Sequence, residues 1–262
     1  MRAYWTVLSA RFRLLLQYRA AALAGLGTQF FWGLIRMMVF AAFLENAGSR
    51  SPMSLEQVVA YIWLGQAFLL LIPFRGDAEL EDMIRSGNVA YEMLRPVDLY
   101  GLWYCRGIAN RVAPVLLRCV PMLVVVTLVG WLDWPGLHVL VAFAASLVAA
   151  VLLASALGTL MTITLFWTLS GQGINRLVFA AMWMFSGITI PLPLFPEFLQ
   201  PMLAALPFRG LCDTPLRLFT GHIPLDQAPV AIAHQVASAV GLIVFGRWLM
   251  ALGTRRLVIQ GG

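Results

Sequence analysis

Lysine is absent from this 262-residue sequence; all eighteen basic residues are arginine. A phosphate-binding loop of the form G-x-x-x-x-G-K-S/T therefore has no lysine to supply, and Schiff-base chemistry on a lysine amine is excluded as well. Charge of either sign is scarce, at 11% of residues against about 25% in a soluble domain. Cysteine is limited to Cys105, Cys119 and Cys212. No C-x-x-C spacing exists, and the topology below puts the three on the inner side, within a span and outside, so unpaired thiols are expected. No His/Cys/carboxylate cluster has metal-ligand spacing, and no G-x-S-x-G elbow is present.

What is present is apolar. Hydrophobic residues make up 61% of the chain, and no charged residue occurs from Trp134 through Asn175, a stretch longer than the roughly 20 residues that cross a bilayer. The chain reads as a polytopic membrane protein. Its net charge of +6 fits membrane topology and contact with anionic lipid. No basic stripe interleaves with exposed aromatics, so nucleic acid is not an expected partner.

Residues 2–19 carry Arg2, Arg11, Arg13 and Arg19, with Trp5, Leu8, Phe12, Leu15 and Leu16 at helical spacing. That pattern predicts an amphipathic helix in the membrane interface rather than a cleavable signal peptide. Six spans are predicted at 20–44, 56–74, 112–131, 138–166, 176–190 and 228–250. With both termini cytoplasmic, the inner segments hold thirteen arginines. The outer loops hold three, Arg50, Arg209 and Arg217, and this imbalance sets the orientation by the positive-inside rule. Trp131 and Trp134 flank a short outer loop as interface anchors.

The fifth span is short. From Arg176 to Pro191 there is about 21 Å of helix, against a hydrocarbon core of about 30 Å. Five prolines follow between Pro191 and Pro207, in a segment too apolar for a free loop. Short helices dipping back into the outer leaflet are expected, with 197–222 packed as a lid on the other spans, because irregular backbone at that depth needs protein around it.

The polar residues concentrate between Arg75 and Arg111, with five arginines and six carboxylates. A short helix is expected over 77–86. Asp77, Glu79, Glu81 and Asp82 crowd its first turn, Arg85 lies in its last, and Gly87 follows, which is the order the helix dipole favours. Leu80, Met83 and Ile84 fall on one face, and Tyr91, Met93, Leu94 and Pro96 add apolar surface beside it. Such a ridge, edged by carboxylates, suits insertion into a groove on a soluble partner; the alternative is a helix that caps its own bundle.

The string Ile84-Arg-Ser-Gly-Asn-Val-Ala-Tyr-Glu-Met-Leu-Arg-Pro-Val-Asp98 resembles the cytoplasmic loop of the type-2 permeases of ABC exporters. The tail Arg255-Arg256-Leu257-Val258-Ile259-Gln260-Gly261-Gly262 is similar to the one that closes the small six-span subgroup of these permeases. So is Phe185-Ser186-Gly187-Ile188-Thr189-Ile190-Pro191 with Phe195-Pro196 and Leu206-Pro207-Phe208. The resemblance runs the length of the chain. It implies an all-α membrane protein of one domain, 1–262, with six transmembrane helices. An interfacial helix over 1–19, a cytoplasmic loop over 75–111 with a coupling helix at 77–86, and short re-entrant external helices over 191–226 complete it. It also implies two ABC ATPase subunits, which carry ATP and Mg, and a second permease, identical or related. This chain itself is expected to bind no cofactor. The implied setting is a bacterial inner membrane.

No Asp or Glu falls deep in a predicted span, since Glu45, Glu56, Asp133 and Glu197 lie near outer borders. Ion-driven carriers usually place carboxylates near the midplane. A separate ATPase is therefore the simplest energy source. The expected role is export of an amphipathic or cationic drug-like compound, a peptide or a lipid. Two arginines lie within spans. Arg36 is expected to snorkel outward or meet Glu45. Arg118, between Pro114 and Pro121, is expected to satisfy carbonyls that the prolines free or to face a dimer seam. In the resembled family, spans two and five flank the dimer axis. Candidates for the path are therefore Trp63, Gln66 and Phe68, with Met182, Trp183, Phe185, Ser186 and Thr189, for which ordinary helix packing is the alternative. Aromatic and methionine surfaces suit bulky apolar or cationic ligands. Two further readings stand beside this one. The first is a self-sufficient channel or carrier. The second is an intramembrane enzyme using Ser170 or Ser186 with His138, His222 or His234.

Overall fold

The computed structural model describes residues 2–17, 19–47, 51–168 and 172–255. Arg50, Ser170 and the tail 256–262 lie outside them. All regular structure among the described residues is helical. Helix α1 (Arg2–Leu16) lies along α6 (Leu99–Leu128). Tyr4 and Val7 of α1 face the chain while Trp5 is left exposed. Helix α2 (Arg19–Ala47) packs on α3 (Leu55–Ala67) and α6. Helices α4 (Ala78–Arg85) and α5 (Val89–Met93) precede α6. Helix α7 (Leu137–Ile163) is central, and α8 (Gln172–Phe185) follows it. Short turns, α9 (Gln200–Ala205) and α10 (Asp213–Phe219) then lead to α11 (Ala228–Thr254), which runs along α7.

Among the described residues four stretches are long and apolar enough to cross a membrane: Ala24–Glu45, Leu99–Leu128, Leu137–Phe166 and Leu225–Thr254. The second and fifth predicted spans are much shorter as helices. The run expected at 56–74 breaks after Ala67 into a single 3-10 turn, Leu69–Leu71. Pro73 disfavours helix at the residue before it. Helix α8 has 14 residues and stops at Phe185. There Gly187 takes φ +85°, a left-handed conformation that only glycine adopts without strain. The third predicted span starts 13 residues early. Asp98 caps Leu99–Leu128 by accepting from Gly101 N at 2.8 Å, so the end of the polar segment is helical.

Local chemistry explains the other starts. Ser54 and Gln57 form a reciprocal capping box at α3, worth about 1 kcal/mol. Helix α7 owes its central place to small residues. Ala149, Ala150, Ala154, Ala156 and Gly158 let neighbours approach closely. Its Ser146 exchanges hydrogen bonds with fully buried Gln235 of α11, whose amide also donates to Gly210 O at 2.7 Å. One side chain thereby ties α7, α11 and the segment before α10 together. The core falls into two clusters, a large one around Trp63, Leu153 and Met182, and a smaller one around Leu80, Trp103, Ile163 and Met250.

Candidate functional site

At the polar end, Asp77 caps α4 by accepting from Glu79 N at 3.0 Å and Leu80 N at 3.3 Å. Its second oxygen accepts from Asn110 Nδ2 at 2.8 Å, and its own N–H donates to Thr162 Oγ1 at 2.9 Å. Glu79 bridges Arg11 at 2.6 Å and Arg106 at 2.9 Å. Glu81 accepts from Asn175 Nδ2 at 3.3 Å and faces Arg85 at 4.0 Å. The carboxylates therefore clamp α4 onto α1, α6 and α8, and the Asp77 N–H ties its start to α7.

The apolar face turns the same way. Leu80 is 1% exposed inside the smaller cluster, with Met83 and Ile84 packed against it. The ridge read from sequence as open toward a partner is thus largely closed on the chain itself, because burying a leucine is worth about 2 kcal/mol. Open apolar surface sits next door: Tyr91 is 71% exposed, Leu94 81% and Met93 43%, with Asp82, Arg85 and Arg95 exposed around them. Between these, buried Glu92 accepts from Trp103 Nε1 at 2.8 Å and anchors α5.

Most path candidates lie inside the core. Trp63, Phe68 and Met182 belong to the large cluster, and Trp63 stacks on Trp131 at 5.0 Å and meets Phe30 at 5.4 Å. Trp131 is accordingly a packing residue, whereas Trp134 is half exposed and donates to Thr127 Oγ1. Gln66 is buried, and its carbonyl accepts from Gln29 Nε2. Trp183 packs against the cluster, and Phe185 is half-buried at the end of α8. Ser186 is fully buried. Thr189 alone among the candidates lines a cleft of about 940 Å³, formed by Val39–Leu44 of α2 and the segment around Ile190–Gln200.

The two span arginines meet partners other than those expected. Arg36 donates to Thr189 O at 2.7 Å, a carbonyl released where α8 stops, rather than reaching Glu45. Arg118 lays its guanidinium against Gly25 of α2; among the described residues it makes no hydrogen bond or ion pair, so the carbonyls beside the prolines do not hold it.

The residue without a sequence-based role is Asp213. It lies at the start of α10 and is 1% exposed. Its carboxylate accepts from Tyr61 Oη of α3 at 3.0 Å, Leu192 N at 3.2 Å and Arg217 Nη1 at 3.2 Å, while its N–H donates to Ser186 O at 2.9 Å. The single Tyr61 O–H is shared with Gly187 O, 3.1 Å away. Arg217 Nε donates to His222 Nδ1 at 3.1 Å, and the opposite ring nitrogen faces Pro52 O at 3.2 Å. Burial and Arg217 push His222 below its ordinary value, and burial beside Asp213 pushes the Cys212 thiol up. The signal in the sequence was an Asp and an Arg four apart in an otherwise apolar segment. Among the described residues His222 and His234 do not meet Ser186: His222 pairs with Arg217, His234 with Arg209 at 3.4 Å, and the Ser186 hydroxyl accepts from Ile188 N.

An apolar helical bundle with one clamped polar end does not by itself name a function; the family follows from comparison. The model of the ABC-2 family transporter protein matches residues 30–261. The chain belongs to the ABC-2 family. No curated protein and no solved structure matches it. ABC-2 proteins are membrane transport components and not themselves catalysts. The match takes in α3 through α11 and most of α2, and α1 precedes it.

Proposed function

We propose that this ABC-2 chain is the permease subunit of an ATP-driven exporter. Two ATPase subunits dock on its polar end, and a second permease, identical or related, completes the translocation unit. The cargo is an amphipathic or cationic compound, peptide or lipid. In this reading α3 and α8 complete six crossings, α1 lies in the interface, both ends face the cytoplasm, and the segment 191–226 lies outside. ATP and Mg belong to the partner. The observation that carries the reading is the exposed patch of Tyr91, Met93 and Leu94, held rigidly by the Glu92–Trp103 bond on a chain with no lysine for a nucleotide loop of its own.

The patch also shifts the best test away from Leu80, because a charge there would disrupt the chain's own core. Leu94→Asp and Tyr91→Ala, co-purified with a P-loop ATPase from the same locus, should lower transport-coupled ATP hydrolysis by about tenfold or more, as loss of a hot-spot contact does. Their thermal stability should match the parent. Unchanged coupling in both variants would refute docking at this patch. A second reading, a self-powered carrier, draws on Asp213, a buried carboxylate between α3 and α10. Uphill movement by the lone chain under a proton gradient, lost in Asp213→Asn, would favour it over the exporter.

A further inference from the structure

A second feature of the polar end is unaccounted for by docking. A cavity of about 440 Å³ opens between α1, the residues just before α4, α6 and α7. Glycines thin its walls. A Cβ on Gly76 would meet Thr162 Oγ1 at 2.7 Å, and one on Gly158 would meet Arg111 Nη2 at 3.0 Å. The charges around it do not balance locally. Asp77 and Glu79 line the cavity, but Glu79 is taken up by Arg11 and Arg106, and Asp77 by Arg106, Asn110 and the first amides of α4. Arg75 and Arg111 also line it, and neither has an ion pair or hydrogen bond to any described residue, although the Asp77 carboxylate acts on Arg111 at longer range. Arg111 Nε and Thr159 Oγ1 are buried there without a partner. A buried guanidinium whose nearest carboxylate is already shared with Arg106 and Asn110 is costly, and a bound anion would lower that cost.

We propose that this cavity binds a phosphate-bearing anion, supplied as the headgroup of an anionic phospholipid. Arg111 and Arg75 receive the phosphate as charge-assisted donors. Thr159 adds a hydroxyl that donates to a phosphate oxygen. Leu15 of α1 and Phe74, also at the cavity, accommodate the first carbons beyond the phosphate. The placement supports a lipid source. Helix α1 forms one wall, and its exposed Trp5 is the kind of residue that sits at headgroup depth. The lipid would thereby join Leu15 of α1 to Arg75 before α4, Arg111 of α6 and Thr159 of α7, whatever the chain transports.

The test uses the full-length chain, purified in detergent, stripped of lipid and titrated with phosphatidylglycerol, phosphatidylcholine or inorganic phosphate, with bound species read by native mass spectrometry. One equivalent of phosphatidylglycerol should be retained about tenfold more tightly than phosphatidylcholine. Arg111→Gln and Arg75→Gln should each weaken it by about tenfold, or about 1.4 kcal/mol. Arg95→Gln, an exposed arginine paired with Glu92 away from the cavity, should leave it unchanged. Arg75 is exposed, so its variant reports binding even if Arg111→Gln folds poorly. Equal retention of both lipids, or full retention in Arg75→Gln and in folded Arg111→Gln, would overturn the site. Displacement of phosphatidylglycerol by equimolar inorganic phosphate would overturn the lipid source and assign the cavity to a free anion.

Discussion

Replacing Asp213 with alanine removes the acceptor at which three separate segments meet. Leu192 N–H loses its partner in the interior, at about 1–3 kcal/mol. Arg217 loses its carboxylate, but its side chain is 23% exposed and keeps the His222 contact, so about 1 kcal/mol is a fair charge for it. Tyr61 keeps Gly187 O and adds little. The total, about 2–4 kcal/mol, reaches the low end for breaking a buried ion pair. Asp213→Asn retains an acceptor but turns an amide toward Arg217, at about 2 kcal/mol, and Tyr61→Phe leaves Asp213 with its other two donors, at about 1 kcal/mol. Thermal unfolding of the purified chain, followed by tryptophan fluorescence, should show a fall on the order of 10 °C for Asp213→Ala, with the other two variants graded below it. An Asp213→Ala protein that unfolds within about 1 °C of the parent, or one that outlasts Tyr61→Phe, would refute the view that this carboxylate ties α3 to α10.

Two glycines of α2 should respond in opposite directions. Gly33→Ala places a Cβ 2.6 Å from the ring of Trp63, which is fully buried between Phe30 and Trp131 and has no room to yield, so a loss of about 1–3 kcal/mol is expected. Gly27→Ala meets nothing within 4 Å and should gain up to about 1 kcal/mol from helix propensity; chemical denaturation of the two variants side by side checks both. Acidification should weaken the chain through His222. Its Nδ1 accepts from Arg217, so the folded ring is neutral, and its folded value lies below the ordinary 6.5. That contribution is complete above about pH 6.5 and is lost as pH falls toward the folded value. The melting temperature should therefore drop less between about pH 7.5 and about pH 5.5 in His222→Gln than in the parent; equal drops would exclude His222 as the cause.

Much of this protein is dictated by composition and local pattern. Apolar length marks the four longest candidate spans among the described residues, because bilayer thickness sets a minimum run of mostly apolar residues. Asp77 and Gly87 bracket α4 within the range read from sequence, since caps act over a few residues. The prolines from Pro191 to Pro207 mark a broken segment for the same local reason. The lack of lysine settles, without any structure, that no P-loop is present in this sequence.

What only the tertiary structure decided is direction and partnership. An i, i+3, i+4 pattern says that Leu80, Met83 and Ile84 share a face but not whether that face meets a partner or the chain's own Trp103 and Ile163. Asp213 reads as one more polar residue of an outer segment until Tyr61, 152 positions away, is brought to it. Arg36 finds Thr189 O across 153 positions. Each outcome depends on which distant groups share a desolvated space. Leaving a group there without its partner costs several kcal/mol, whereas sequence patterns report only the neighbours that one helix can reach.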